Sequence, residues 1–460
     1  MDTEFVFMIV IFAMTVMLVM WRPLGMNEAV PSLISAVIIL AIGIVSISNV
    51  VEIFGIVLGA SITILSTIVM SIVLESIGFF RWAAYNLLNK ANGSGRMLYW
   101  YTNLLCFVMT LFMNNDGSIL ITTPIIIHIV SILKLKRHQK IPYLLSGAII
   151  ATASSAPIGV SNLANLIALK IVGLDLNSYA KLMFVPSMLG IFVISLLLYY
   201  YFRQDIPKKI IVYHHILPPV SMNYQVKKRK SAYSIRHPLI HAQQQQQMID
   251  WTLFRICIAI VVFIRIGLFI FPPTGIPMEF ISILGACALI YIRWRKKQKG
   301  VYDIFAKTPW HIFIFAFSMY VIVYGFKNAG ITSILVDALN GGVSENLLQA
   351  SLIMGIIITI MSNLFNNLPS VMLGTLIIVD MGLDSQTMQV AYLANVIGSD
   401  IGALLTPMGT LATLIWMYIL RKNGIFLSWG MYIKTVVMVI PIGLFVSLLS
   451  LYVWAQWVIF

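Results

Sequence analysis

Charge is what this sequence has least of. Only 10% of its 460 residues are Asp, Glu, Lys or Arg, where a water-soluble domain carries about 25%. So low a charge excludes an ordinary soluble enzyme, a disordered chain and a coiled coil. Acidic residues are the scarcer sign, 16 against 30 Lys plus Arg. Cysteine is nearly missing: Cys106, Cys257 and Cys287 each lie in apolar sequence without a CxxC pair, so neither a disulfide framework nor a thiolate metal site is expected. Met1-Asp2-Thr3-Glu4 lacks the basic stretch of a secretory signal, and the first apolar run is expected to be retained as a helix. Motifs for a membrane-embedded enzyme are missing too. There is no HExxH and no Gly-x-Gly-Asp, and His128 and His311 stand without evident partners. No catalytic residue and no cofactor is expected.

What is present is apolar sequence: 60% of residues are hydrophobic and the mean hydropathy is +0.94. Runs fall near 5–21, 29–47, 54–80, 97–133, 142–174, 182–202, 252–271, 277–293, 309–326, 346–383, 386–420 and 430–458. A helix needs roughly 20 such residues to cross a bilayer, and the short alternating segments of a membrane barrel are missing. The fold class read from these runs is an all-α polytopic membrane protein. The net charge of +14 then belongs to loops flanking membrane helices, with lipid and not nucleic acid as the partner.

Lys and Arg in short loops set orientation. Segments 203–250 and 293–308 are both strongly basic and lie two helices apart, so both are placed in the cytoplasm. Segment 203–250 also holds five consecutive glutamines, Gln243 to Gln247, and reads as a flexible linker. Run 97–133 has basic residues at both ends, so it enters from the cytoplasm and returns, turning at Asn114-Asn115-Asp116-Gly117. Run 346–383 lies in a stretch, Asn328 to Leu420, without Lys or Arg, and is flanked by Glu345 and Asp384. It reads as a second hairpin entering from the other face, turning at Asn366-Asn367-Leu368-Pro369. The expectation is about ten crossings, two oppositely oriented re-entrant hairpins, and both termini outside the cell membrane.

The breaks repeat. Phe112-Met113-Asn114-Asn115 matches Leu364-Phe365-Asn366-Asn367, and a Pro-x-Gly break follows each, at Pro157 and Pro407. The spacings are 43 and 41 positions. This indicates an inverted repeat: 1–202 with hairpin 97–133 and a broken helix in 142–174, then linker 203–250, then 251–460 with hairpin 346–383 and a broken helix in 386–420. Inverted repeats with interrupted helices mark secondary transporters. Interrupted backbone in hydrocarbon is tolerated only inside protein or along a watery cavity. Asn, Ser and Thr satisfy its free groups, and helix ends bring partial charges to the site. Such a site suits a small polyhydroxy solute of little charge, or a bare cation.

At these residues the sequence resembles the arsenite efflux permeases of the ion transporter superfamily. The similarity is carried by Asn114-Asn115-Asp116-Gly117 with Thr123-Pro124; by Val160-Ser161-Asn162-Leu163 with Asn165; by Pro309-Trp310, Met319-Tyr320, Tyr324-Gly325 and Asn328-Ala329-Gly330; by Asn366-Asn367-Leu368-Pro369; by Ala394-Asn395-Val396-Ile397-Gly398-Ser399-Asp400; and by Thr406-Pro407 with Gly409-Thr410-Leu411-Ala412-Thr413-Leu414. It runs through nearly the whole chain apart from about 210–248. The resemblance implies a homodimer in which a scaffold holds a mobile domain with two hairpins. It also implies export of arsenite and antimonite, neutral trihydroxides near neutral pH, driven by the proton gradient. A soluble ATPase subunit partners some relatives. Three positions depart from the family's pattern: Thr152 stands for an Asp, Ala403-Leu404 for Pro-Lys, and Gly159 for a bulkier apolar residue. A sodium/proton antiporter of the same superfamily is the alternative.

Asp116 and Asp400 are the proton-coupling candidates, since a carboxylate at membrane depth is costly and rare. The competing readings are a helix cap for Asp116 and a structural hydrogen bond for Asp400. Asn114, Asn115, Ser161, Asn162, Asn165, Asn366, Asn367, Thr406, Thr410 and Thr413 are candidate contacts to a small inorganic solute; they would equally satisfy free backbone groups. Arg255 and Arg265 read as scaffold contacts, Glu75 as a surface contact, and Cys106 as core packing.

Overall fold

A computed structural model of the chain describes residues 3–21, 26–210, 250–297 and 300–460. Most of the expected linker, with its glutamines and His214, His215, His237 and His241, lies outside the described residues. Among the described residues the regular structure is helical, without strands. The first half holds α1 (Thr3–Trp21), α2 (Ala29–Ile42), α3 (Ile47–Ser76), α4 (Phe79–Ala91), α5 (Gly95–Phe112), α6 (Asn115–Ile132), α7 (Arg137–Ala153), α8 (Leu163–Val172) and α9 (Leu176–Phe202). The second holds α10 (Trp251–Ile270), α11 (Met278–Lys297), α12 (Tyr302–Lys307), α13 (His311–Asn328), α14 (Ile331–Val343), α15 (Leu347–Phe365), α16 (Asn367–Asp380), α17 (Ser385–Asp400), α18 (Leu411–Lys422) and α19 (Trp429–Trp454). Nine helices among the described residues are long and apolar enough to cross a bilayer. The protein is a polytopic helical membrane protein.

All four expected breaks are present. Only Met113 and Asn114 separate α5 from α6, and Asn366 alone separates α15 from α16. These turns are sealed inside the protein: Met113 is 2% exposed, Asn114 1% and Asn366 5%. A turn joining two separate crossings would lie in water; a buried one belongs to a hairpin tip. The other two breaks are longer. α7 stops at Ala153, a single tight turn covers Gly159–Ser161, and α8 starts at Leu163. In the second half α17 stops at Asp400, a similar turn covers Gly402–Leu405, and α18 starts at Leu411.

Some features recur in the two halves. α4 and α14 are each 13 residues long, and each follows a left-handed glycine, Gly78 (φ 90) and Gly330 (φ 75). No element was expected over either: they are too short to cross, and their one-sided apolar pattern sits beside longer runs. The long helices α9 and α19 cross in close contact through Gly190 and Gly443. A Cβ on Gly190 would lie 1.7 Å from the Ser447 hydroxyl, and one on Gly443 2.2 Å from an Ile194 methylene. Small residues bring membrane helices this close where the hydrophobic effect gives no help. The hairpins then exchange partners. α6 packs on α18, and α16 packs on α8, so each hairpin lies against the broken helix of the opposite half. Glu75 meets Lys307 at 3.5 Å in an exposed pair, the surface contact expected of it.

Candidate functional site

Every buried helix start at a break carries its own side-chain cap. Asn114 accepts from the Gly117 amide at 3.2 Å. Asn162 accepts from Ala164 at 3.1 Å, Asn366 from Leu368 at 3.5 Å, and Thr410 from Thr413 at 3.1 Å. Each start therefore keeps free N–H groups and about half a positive charge inside the protein. Capping falls to Asn114, so Asp116 is not the cap; its amide donates to Asn115 Oδ1 at 2.8 Å. Among the described residues its carboxylate accepts no hydrogen bond and joins no ion pair, although Asp116 is part-buried.

Asp400 has a different setting. It is wholly buried, at the end of α17, and three neutral side chains from the other half converge on it. Ser155 Oγ and Asn165 Nδ2 each lie 2.7 Å from Oδ2, and Asn162 Nδ2 lies 2.7 Å from Oδ1. The expected alternative, a bond to a free backbone N–H, is not what holds it. Asn162 thus ties the α8 start to the end of α17. Two polar atoms beside this cluster are buried without a partner: Ser161 Oγ and Asn165 Oδ1. No metal-holding group of His, Cys, Asp and Glu occurs among the described residues.

The second hairpin is laced to the second break. The Asn367 amide donates to the Gly409 carbonyl at 2.9 Å, and Asn366 Nδ2 to Met408 at 3.2 Å. Asn363, one turn earlier, donates to Gly402 at 2.8 Å and accepts from the Thr406 amide at 2.7 Å. Thr410 and Thr413 share a hydroxyl contact of 2.8 Å. Gly409 is required here: a Cβ on it would lie 1.8 Å from the Ala403 carbonyl. The candidate residues accordingly fall into three groups. Ser161, Asn162 and Asn165 gather around Asp400; Asn366, Asn367 and Thr406 join across the second hairpin and break; Thr410 and Thr413 start α18. Among the described residues the side chains of the first tip, Asn114 to Asp116, hydrogen-bond only to neighbouring amides, those of Asp116 and Gly117. The tip approaches the rest by packing, α6 on α18, and through Thr110, whose hydroxyl donates to the Ala151 carbonyl at 2.8 Å.

Several contributors were missed in the sequence, and Arg265, expected as a scaffold contact, has a different place. Arg265, 6% exposed, is placed by the structure on the first hairpin tip. Its Nε donates to the Phe112 carbonyl at 2.6 Å, and its Nη2 donates to Met113. Its third nitrogen, Nη1, is buried without a partner. The guanidinium thus supplies positive charge where α5 ends with unpaired carbonyls. Tyr179 and Tyr432 hold the same place in α9 and α19, four residues past the helix caps Asp175 and Ser428. Their hydroxyls donate to free carbonyls of the two breaks, Ala156 at 2.5 Å and Leu404 at 3.0 Å. His311, which had no evident partner in sequence, meets the buried Glu28 carboxylate at 3.3 Å. Ser155 and Asn363 lie just outside motifs already singled out, two residues before Pro157 and next to Leu364. Their polarity inside apolar runs was the available signal. Arg265 was singled out by its charge but read as a scaffold contact, and the tyrosines carried no signal, because the partners of all three are distant backbone carbonyls.

The departures at Thr152 and Leu404 also resolve into contacts. Thr152 bonds the Ala148 carbonyl at 3.1 Å and offers its own carbonyl to Ser155 at 2.7 Å. Leu404 is buried, and its carbonyl accepts from Tyr432. Cys106 is wholly buried against Gly147, as core packing requires.

Comparison with known proteins agrees with this architecture. A family model described as citrate transporter matches residues 16–398. The chain is 45% identical over 446 residues, 97% of its length and 99% of the relative's, to the "Putative arsenical pump membrane protein" of Bacillus subtilis. It is 32% identical over 445 residues to the "Arsenical pump membrane protein" of Escherichia coli, covering 96% of this chain and 97% of that one. The Yersinia enterocolitica protein of that name is 30% identical over 443 residues, again 96% and 97% of the two chains. A chain with these broken helices and this kinship belongs to the arsenical pump membrane protein family, within the citrate transporter group, and is a multi-pass secondary transporter and not an enzyme.

Proposed function

We propose that the protein exports arsenite and antimonite across the cell membrane, coupled to the proton gradient. The observation that carries this reading is the neutrality of the groups around Asp400. All three side chains holding it are uncharged hydroxyl or amide donors. Citrate, the substrate in the family model's description, carries about three negative charges and would need fixed cations; a neutral trihydroxide needs paired donors and acceptors. Amides and hydroxyls supply both. Asn114, Asn115, Asn366 and Asn367 from the hairpins, with Ser161, Asn162, Asn165, Thr406, Thr410 and Thr413 from the broken helices, are the groups assigned to the solute's hydroxyls. The names of the relatives support the same solute.

Asp116 and Asp400 are assigned to the proton. Asp116, whose carboxylate has no partner among the described residues, exchanges it with water; Asp400 reports it to both halves through Ser155, Asn162 and Asn165. The hairpins and broken helices move together against a scaffold formed near 29–80 and 277–326, which pairs in a homodimer. The two hairpins enter from opposite faces, the termini lie outside, and a soluble ATPase subunit is a further partner to test.

The test is arsenite accumulation in cells of an arsenite-sensitive strain expressing the chain, with a protonophore used to collapse the proton gradient. Accumulation must fall with the gradient intact and recover when it is dissipated. A sodium/proton antiporter is the second reading, favoured by the unpartnered oxygens Ser161 Oγ and Asn165 Oδ1 beside a carboxylate, a donor set suited to a hard cation. Sodium-dependent proton movement in vesicles without arsenite would replace the first reading with the second.

A further inference from the structure

At the foot of the first hairpin lies a basic cavity outside the transport site. Ser94 caps α5, accepting from the Met97 amide at 3.3 Å. Residues 203–210, following α9, fold back onto this helix start. The Ile210 amide donates to the Gly93 carbonyl at 2.7 Å, and the Pro207 carbonyl lies 2.0 Å from where a Gly95 Cβ would stand. Only glycine permits that approach. The fold-back leaves a cavity of about 590 Å³, walled among others by Arg96, Arg203, Lys208, Tyr199, Tyr200 and Gln204.

Its charge is of one sign. No Asp or Glu lines it among the described residues, and Asp205 is not among its walls. Arg96, Arg203 and Lys208 are exposed, and none is in an ion pair among the described residues. Three unneutralised cations around one opening attract an anion with several oxygens, and paired guanidinium groups favour phosphate.

Its depth identifies the source. α9 is an apolar membrane-spanning candidate that ends at Phe202. Three consecutive tyrosines, Tyr199, Tyr200 and Tyr201, stand at that end, the rings of Tyr199 and Tyr200 in contact, and Tyr200 is 60% exposed. Tyrosine belts mark the headgroup layer, so the cavity opens where lipid phosphates lie. Basic pockets between membrane helices at this level are suited to anionic headgroups.

We propose that this cavity binds the phosphate of an anionic membrane lipid, joining Arg96 at the root of the first hairpin to Arg203 and Lys208 beyond α9. The bound headgroup links the hairpin's foot to the start of the segment that connects the two halves.

The experiment uses the full chain, purified and reconstituted in phosphatidylcholine discs with or without phosphatidylglycerol or cardiolipin. Retained lipid is read by native mass spectrometry. Wild type is expected to retain an anionic lipid. The triple variant Arg96→Gln, Arg203→Gln, Lys208→Gln should bind it about a hundredfold more weakly, the loss expected of three surface cations. The charge-keeping variant Arg96→Lys, Arg203→Lys should remain within about tenfold of wild type, which separates lost binding from lost folding. A control triple at exposed basic sites elsewhere, Arg421→Gln, Lys422→Gln, Lys434→Gln, should change affinity less than about threefold. Equal losses in the two triples, or retention of phosphatidylcholine as strong as that of the anionic lipids, overturns the proposal. Inorganic phosphate is the other arm: binding of free phosphate as tight as that of the lipid overturns the assignment to the membrane.

Discussion

The Ser155 hydroxyl lies 2.7 Å from Asp400 Oδ2 and 2.7 Å from the Thr152 carbonyl. A hydroxyl has one proton, so it can donate to only one of these two acceptors. With Asp400 ionised, Ser155 donates to the carboxylate and leaves Thr152. With Asp400 protonated, the acid donates to Ser155, and Ser155 is released to donate to Thr152. The direction of this short chain reports whether Asp400 carries a proton, and it joins the end of α17 to the end of α7.

Removing the hydroxyl isolates that relationship. Ser155→Ala takes one donor from ionised Asp400, at a cost of about 1.5–3 kcal/mol for a bond to a charged group, and leaves the protonated acid less affected. The acid form is therefore favoured, and the protein should keep its proton to higher pH. The expected result is a shift of the arsenite-export pH profile toward alkaline values with expression retained. A profile that only loses height would assign Ser155 a packing role.

Asn366 stands at φ 81 and ψ 154. That region is nearly confined to glycine and costs a side-chain-bearing residue about 1–3 kcal/mol. The strain is held by the Met408, Gly409 and Leu368 contacts around it. Asn366→Gly should relax the backbone and raise thermal stability, while transport falls at least about tenfold because the amide that bridges hairpin and break is gone. Thermal unfolding and export measured on the same preparation check both. Lower stability in the glycine variant would show that the side-chain bonds outweigh the strain.

Arg265 should be intolerant of neutral replacement. Arg265→Gln leaves the carbonyls of Phe112 and Met113 short of donors inside the protein, at about 1–3 kcal/mol for each unsatisfied group. Arg265→Lys keeps the charge but loses the fork that reaches two carbonyls at once. The expected order of thermal stability is wild type, then lysine, then glutamine. Glutamine equal to wild type would remove Arg265 from the account of the hairpin tip.

The broken helices were legible because polarity inside a long apolar run has few uses. Asn114, Pro157, Asn366 and Pro407 each mark a real interruption within a few residues of its expected position. Paired spacing marked matching breaks in the two halves before any coordinates. What pins those interruptions was not legible. Arg265, Tyr179 and Tyr432 bond to carbonyl groups, which every residue carries, so sequence gives no partner to match. The His311–Glu28 pair joins positions far apart in the chain with no repeat to align them. α4 and α14 escaped because a helix of 13 residues neither spans the bilayer nor shows the long run used to find spans. The departures at Thr152 and Ala403-Leu404 were visible, but only contacts show that neutral donors surround Asp400 in their place.

Asp116 and Asp400 should separate under the same substitution. Asp400 accepts three hydrogen bonds, so Asp400→Asn turns an amide N–H toward groups that are themselves donors. The buried mismatch costs about 1–3 kcal/mol or more and should lower stability along with transport. Asp116 has no hydrogen-bonding partner for its carboxylate among the described residues, and Asn is close to it in shape. Asp116→Asn should therefore fold and unfold at nearly the wild-type temperature and still bind arsenite. What it loses is the exchangeable proton, so export in everted vesicles should no longer respond to an imposed pH gradient. Measuring arsenite flux at several gradients, beside thermal unfolding of both variants, decides the matter. If Asp116→Asn follows the gradient as wild type does, the proton is carried elsewhere, and Asp400 becomes the remaining carrier of the two.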